Sequence, residues 1–386
     1  MKKYWLLIFS FFIFGSTLAQ NAIDTIKCDA DTLQSYCVYV PSQYSKVPKL
    51  PVIFLFDPAA RGRLPVVLFK PIAEELGIIV IASNNSRNGP FNLSLQAADA
   101  MFTDAFKKYH INESEIYLGG FSGGARVAIS IAQNSPTIAG VIACSAGFSN
   151  IPEKKLPWYF TGIAGLQDFN YIEMQQAHLT LDSLQTDNNL IFFNGPHRWP
   201  PEGIIKQAML SQYQHRHNIT GQKQEVSIDK QLYRKELTFQ NEAITALEAL
   251  VFDRAENVKP IGWWRSKQAG LKKALITGIK ADSDYVARQI SFISINATAE
   301  FESCYQAKRY EAAEEVLKIA TVFDAAEPMI AYRYARLSAI QKDQDATLNY
   351  LEEAIKKGLK DKKMIQNERL FSFLKENKRF KAMVNY

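Results

Sequence analysis

Three polar residues, each just past a short apolar run, have the types needed to cleave an acyl bond. Ser122 lies in Gly120-Phe121-Ser122-Gly123-Gly124, after the strand-forming Ile116-Tyr117-Leu118 and before a helix-compatible run at 125–132. Strand, sharp turn and helix are the order of a nucleophile elbow. The serine takes a strained backbone conformation that lifts its hydroxyl above the sheet edge, and the flanking glycines let strand and helix approach. The unpaired N–H groups and positive dipole end of that helix then face developing negative charge. A serine nucleophile also needs a base, and an acid to orient the base. Of five histidines, only His197 follows an apolar run (190–193) in a Gly/Pro-rich loop. His110 ends a helical pattern, His178 lies inside one, and His215 and His217 sit in a polar helical tail. Asp168 follows the run 157–163 and is the candidate acid. Asp182 and Asp187 fall too far along the next helix.

An oxyanion needs donors as well. Gly123 N–H, directly after the serine, is one. The second is expected from the loop after 51–56, where Pro58 has no N–H and Ala59 is the best candidate. The same loop brings a carboxylate, Asp57, near the site. Unpaired it would oppose an oxyanion, and Arg61, Arg63 and Arg87 are the available neighbours. Phe121 and Trp199 flank the nucleophile and the histidine and are candidate substrate-binding residues.

The elements that must position these groups alternate. After an N-terminal pair of strands (25–28, 35–40), buried strands are expected at 51–56, 78–82, the elbow strand, 138–144, 157–163 and 190–193. Helices are expected at 65–76, 93–109, after the elbow, 174–186 and 203–217. Short continuous apolar runs read as strands buried on both faces. The class is therefore α/β, a mostly parallel sheet with helices on both faces and its site at the carboxyl ends of the strands. Past about 218 the pattern turns helical. The Trp263-Trp264 pair reads as a helix-packing anchor. From about 297 a repeat emerges: Ala312 and Leu317 recur as Ala346 and Leu351, at the 34-residue tetratricopeptide period. The domain boundaries read as a leader at 1–19, an α/β domain at 20–218, a helical connecting region at 219–296 and a tetratricopeptide-like helical domain at 297–386.

Residues 35–216 resemble secreted α/β-hydrolase-fold esterases of the polyhydroxybutyrate-depolymerase and feruloyl-esterase type. The carrying residues are Gly120-Phe-Ser122-Gly-Gly124, Gly165-Leu-Gln-Asp168 and Gly195-Pro-His197-Arg-Trp199-Pro-Pro. The resemblance assigns the triad roles to Ser122, Asp168 and His197. The sequence departs from that group at Pro196, where a second glycine is usual, and in the Asp57 loop, which replaces a His-Gly motif. These departures bear on substrate class more than on fold.

The expected activity is a serine hydrolase cleaving small-molecule or polymer-attached carboxylic esters, with no cofactor or metal. The interval between Ser122 and His197 is too short for a large cap, so the site should be open. Two other readings stand beside it: a peptidase of the same fold, and an inactive hydrolase-fold binding protein whose helical tail recruits a protein partner. The chain has 386 residues and a net charge of +6 without a long Lys/Arg run, which does not suggest nucleic-acid binding. Lys2-Lys3, an apolar stretch at 5–14 and small residues to Ala19 read as a secretory leader. An uncleaved anchor is the rival, but the run is short for a span. A secreted or periplasmic location without a later membrane span is expected, where disulfides are allowed. Cys28 and Cys37 flank a turn and are the pair to test for one. Cys144 and Cys304 read as buried thiols.

Overall fold

The structure is a computed structural model that describes residues 22–219, 227–252 and 254–384. The leader expected at 1–19 lies outside these residues. An eight-stranded sheet is formed by β1 (Ile23–Lys27), β2 (Ser35–Tyr39), β3 (Leu50–Phe56), β4 (Ile79–Ser83), β5 (Ile111–Phe121), β6 (Ile138–Cys144), β7 (Tyr159–Gly165) and β8 (Asn188–Phe193). Their spatial order is β1-β2-β4-β3-β5-β6-β7-β8. β2 runs antiparallel to both β1 and β4, while the β3–β4, β3–β5 and β5–β6 pairs are parallel. The parallel connections carry α1 (Arg63–Leu76), α2 (Phe91–Lys108) and α3 (Gly123–Gln133), followed later by α4 (Tyr171–Ser183) and α5 (Glu202–Arg216). Parallel strands need such crossovers and are covered on both faces. Every residue of β4 is accordingly buried, and so is all of β3 except Pro51.

The N-terminal hairpin places Cys37 opposite Thr25, while Cys28 lies past the end of β1 and donates its N–H to Gln34 O. Three residues of strand separate the two cysteines, about 10 Å between Cα atoms, beyond disulfide reach. No cysteine forms a disulfide, and all four are buried. Burial pushes the Cys28 thiol up to about 11, which keeps it in its unreactive protonated form.

The chain divides into two compact units. One comprises the described residues up to Gly162, Leu181–Asn189 and the segment from Trp199 to 219. The other comprises Ile163–Thr180, Leu190–Arg198 and the described residues beyond 226. The second unit contains α6 (Lys230–Val251), α7 (Ile261–Leu275), α8 (Lys280–Gln306), α9 (Tyr310–Phe323), α10 (Pro328–Ile340), α11 (Gln344–Lys356), α12 (Lys362–Asn367) and α13 (Lys378–Val384). Leu247, Trp264, Ile293, Phe301 and Leu317 share one apolar core, and a second gathers Ala335, Leu351, Phe371 and Phe380. The buried Trp264 thus anchors helices, with Trp263 set edge-on to it. Of the matched positions, Leu317 and Leu351 are buried, while Ala312 and Ala346 are half-buried. The boundary expected at 296/297 falls inside α8, whose buried residues Ile293, Ala297 and Phe301 straddle it. A compositional change could not mark that point, because one helix packs continuously through it. Among the described residues no helix is long and apolar enough to cross a membrane.

Candidate active site

β5 ends at Phe121, α3 begins at Gly123, and Ser122 between them has φ 52° and ψ −123°. A non-glycine residue holds such a conformation only when its surroundings over-determine it. They do so through backbone. Ser122 N–H donates to Cys144 O at 2.8 Å at the end of β6, and Ser122 O accepts from the N–H groups of Ala125 and Arg126. A Cβ on Gly120 would lie 2.4 Å from the carbonyl carbon of Gly124, and one on Gly124 would lie 2.1 Å from Phe56 O. Only glycine permits both approaches. As the first residue of α3, Gly123 has an N–H without an intrahelical acceptor.

The loop after β3 is organised by Asp57, which is fully buried. Arg61 grips it bidentately (Nε to Oδ1 and Nη2 to Oδ2, both 2.9 Å), and Trp199 Nε1 donates to Oδ2 at 2.7 Å. Burial pushes the Asp57 pKa up. Hydrogen bonds from Arg61, Trp199 and the Ala59 N–H outweigh that and hold it below the usual carboxylate range. Of the three candidate arginines, Arg61 is therefore the neutraliser. Arg63 instead donates to Ile23 O, and Arg87 forms a backbone bridge with Ala59.

The expected oxyanion role of Ala59 needs correction, because its N–H donates to Asp57 Oδ1 at 2.8 Å. An aspartate two residues earlier captures it as an Asx turn does. Trp199 and Phe121 also differ from expectation. They are only 8% and 6% exposed, with ring centroids 5.6 Å apart, and the Trp199 indole is spent on Asp57. Both are interior packing groups. A residue not singled out from the sequence lies beside the elbow. The exposed Asn88 places its carboxamide against Gly123, so that a Cβ there would lie 1.9 Å from Asn88 Oδ1. Nothing in the composition of the loop 83–90 distinguishes Asn88 from Asn84 or Asn85.

Asp168 and His197 belong to the second unit and meet there. His197 Nδ1 lies 2.8 Å from Asp168 Oδ1, with Asp168 fully buried and the imidazole one-fifth exposed. Phe169 stacks on the imidazole, with ring centroids 4.1 Å apart. Asn170 N–H donates to Asp168 Oδ1 at 2.9 Å. The two loops are stitched by backbone: Leu166 N–H to Phe193 O at 2.8 Å, and Gln167 N–H to Gly195 O at 3.0 Å. Gly165 makes this approach possible, since a Cβ there would lie 2.1 Å from Gly195 O. An imidazole held at Nδ1 by a buried carboxylate keeps Nε2 for proton transfer.

The sheet order, the antiparallel second strand and a strained serine between β5 and its helix together define the architecture. The fold is that of the α/β-hydrolases. No family model matches the chain, and no curated protein matches it. Solved structures similar to it include S-formylglutathione hydrolase (FrmB) from Staphylococcus aureus, at 15% identity over 50% of this chain and 96% of that one, with a TM-score of 0.41. Est1E from Butyrivibrio proteoclasticus is similar at 15% identity over 50% and 98%, with a TM-score of 0.38. A ferulic acid esterase is similar at 14% identity over 52% and 100%, with a TM-score of 0.41.

Proposed function

We propose that this protein is a serine hydrolase that cleaves carboxylic esters through an acyl-enzyme on Ser122. The observation that carries the reading is the strained backbone of Ser122 at the head of α3, which natural chains retain where the strain serves a reaction. Ser122 Oγ attacks the acyl carbonyl. His197 Nε2 takes its proton and returns it to the leaving alcohol, while Asp168 holds the Nδ1–H tautomer and stabilises the imidazolium. Water then attacks the acyl-enzyme with His197 again as base.

Gly123 N–H is one oxyanion donor. The second is the Asn88 carboxamide, for which a half-turn about χ2 exchanges its carbonyl for its NH2 beside Gly123. The ion pair with Arg61 removes the main objection to activity, a bare carboxylate beside an oxyanion. The short passage from α3 through β6 to β7 has no inserted domain, which suits bulky or polymer-attached esters. We read 1–19 as an export leader, and α8 to α11 as tetratricopeptide-like hairpins.

Fluorophosphonate labelling of the purified chain tests this directly, because the probe reacts with an activated serine. Wild type is expected to label, and Ser122→Ala and His197→Ala are not. A folded wild type that stays unlabelled would overturn the reading. Parallel turnover of an activated ester and an aminoacyl amide then separates esterase from peptidase.

A further inference from the structure

Lys280, Asp284 and Arg288 stand on successive turns of one face of α8. All three reach the loops that carry Asp168 and His197. Arg288 Nη1 donates to Leu166 O at 2.5 Å, and its guanidinium lies 4.3 Å from the centroid of the Tyr171 ring. It therefore grips the chain on both sides of Asp168. Asp284 Oδ1 accepts from Gln167 Nε2 at 2.9 Å. Lys280 Nζ donates to Asn194 Oδ1 at 3.1 Å, just before the histidine loop, and to Asp284 Oδ2 at 2.9 Å.

The guanidinium is itself held. Glu236 on α6 accepts from Arg288 Nε at 3.0 Å and from Nη2, and Gln289 Nε2 donates to the same carboxylate at 2.9 Å. Arg288 is 3% exposed and Glu236 is fully buried. Burial pushes the Glu236 carboxyl up, against the pull of Arg288.

Stability alone does not account for this arrangement. A buried ion pair is often matched or bettered by apolar side chains of similar volume. Apolar contact cannot aim a donor at one carbonyl, whereas a rigid guanidinium fork clamped on one side can. We propose that Arg288, clamped by Glu236, is a positioning residue for the Asp168–His197 pair. Helices α6 and α8 are thereby part of the hydrolytic machinery rather than an appendage to it. The proposal rests on the serine-hydrolase reading above.

The test uses the full chain, with p-nitrophenyl acetate turnover and fluorophosphonate labelling rate as readouts. The double variant Glu236→Leu/Arg288→Met removes both charges together and leaves no unpaired buried ion, so it is expected to fold. Misplacing a catalytic group by about 1 Å costs up to about a hundredfold in rate. The expected result is a kcat lower by about tenfold to a hundredfold at unchanged KM, with labelling slowed equally and the melting temperature close to wild type. Arg288→Lys, with Glu236 kept, should recover part of the rate. A folded double variant with wild-type kcat overturns the proposal, as does a change confined to melting temperature. Should the double variant fail to fold, Arg288→Lys alone keeps a charge for Glu236 but loses the guanidinium fork aimed at Leu166 O, and should lower kcat severalfold. A wild-type kcat there overturns the proposal too. A folded wild type that never reacts with the probe brings down the serine-hydrolase reading and this one with it. A reactive wild type with an equally fast double variant brings down this one alone.

Discussion

Around Ser122 the chain is held by backbone against backbone; around Asp168 and His197 it is held by side chains from helices more than sixty residues later in the sequence. Ser122 sits at the end of β5, a strand flanked on both sides by parallel neighbours. Its strain is met by carbonyls and glycines that no rotamer change can move. Asp168 and His197 sit on loops past β7 and β8. Those loops are stitched to each other by two backbone bonds and then gripped by Arg288, Asp284 and Lys280. Strand-borne groups inherit their precision from the sheet, whereas loop-borne groups need a supporting shell. The difference also explains why the second compact unit takes in both loops with the helices.

The largest effect expected from this comparison comes from adding one methyl group. Gly124→Ala puts a Cβ at the head of α3 2.1 Å from the backbone oxygen of Phe56, at the end of the central strand β3. A loss of about 3–5 kcal/mol is expected, at the upper end for a point substitution, read as a lower urea midpoint. Gly165→Ala makes an equally close contact with Gly195 O, but that carbonyl lies in a loop that can yield. Its loss should be about half as large. Equal losses would mean that the two regions are equally rigid and would break the comparison.

Asn88 tests whether the Ser122 side needs any side chain beyond the serine. As an oxyanion donor its removal should cost about a hundredfold in kcat, the scale of losing one such group. Asn88→Ala should leave KM and the melting temperature unchanged. An unchanged kcat would leave the backbone alone responsible for that side of the site.

The smallest effect is a pH dependence. The Asp57 pKa is depressed in the folded chain, so the unfolded chain binds the proton more tightly. The stabilisation from its bonds to Arg61, Trp199 and Ala59 is present in full above the unfolded pKa, near 4. It is lost as pH falls through the lower folded value. Asp57→Asn should therefore lower the melting temperature at pH 7 and narrow its gap to wild type on acidification. A gap that stays constant below pH 4 would show that Asp57 contributes only packing.

Much of the fold could be read from local pattern. β6 runs over the residues expected of it, and the elbow strand, turn and helix are all present. Continuous apolar runs report buried parallel strands, and a glycine two positions either side of a serine reports a close approach that only glycine allows. The pairing of Asp168 with His197 also followed from position, since both were the polar residues just past a strand. What went unread depends on contacts without a local signature. The alternation of residues did not say that Asp57 would take the Ala59 N–H, or that Arg61 rather than Arg63 or Arg87 would neutralise it. The hairpin register put Cys28 and Cys37 out of reach of each other. The stripe of Lys280, Asp284 and Arg288 looks in sequence like a solvated helix face, since charges four residues apart usually are.

The sequence by itself determined which strands are buried, where the serine must be strained and that Asp168 and His197 follow their strands. These are properties of short segments, set by side-chain period and by what glycine alone can do. Only the tertiary structure decided which donors are already spent, which arginine meets Asp57 and which helix holds the acid loop. Each of those outcomes is a competition among distant groups for a single partner, and chain order does not rank the competitors.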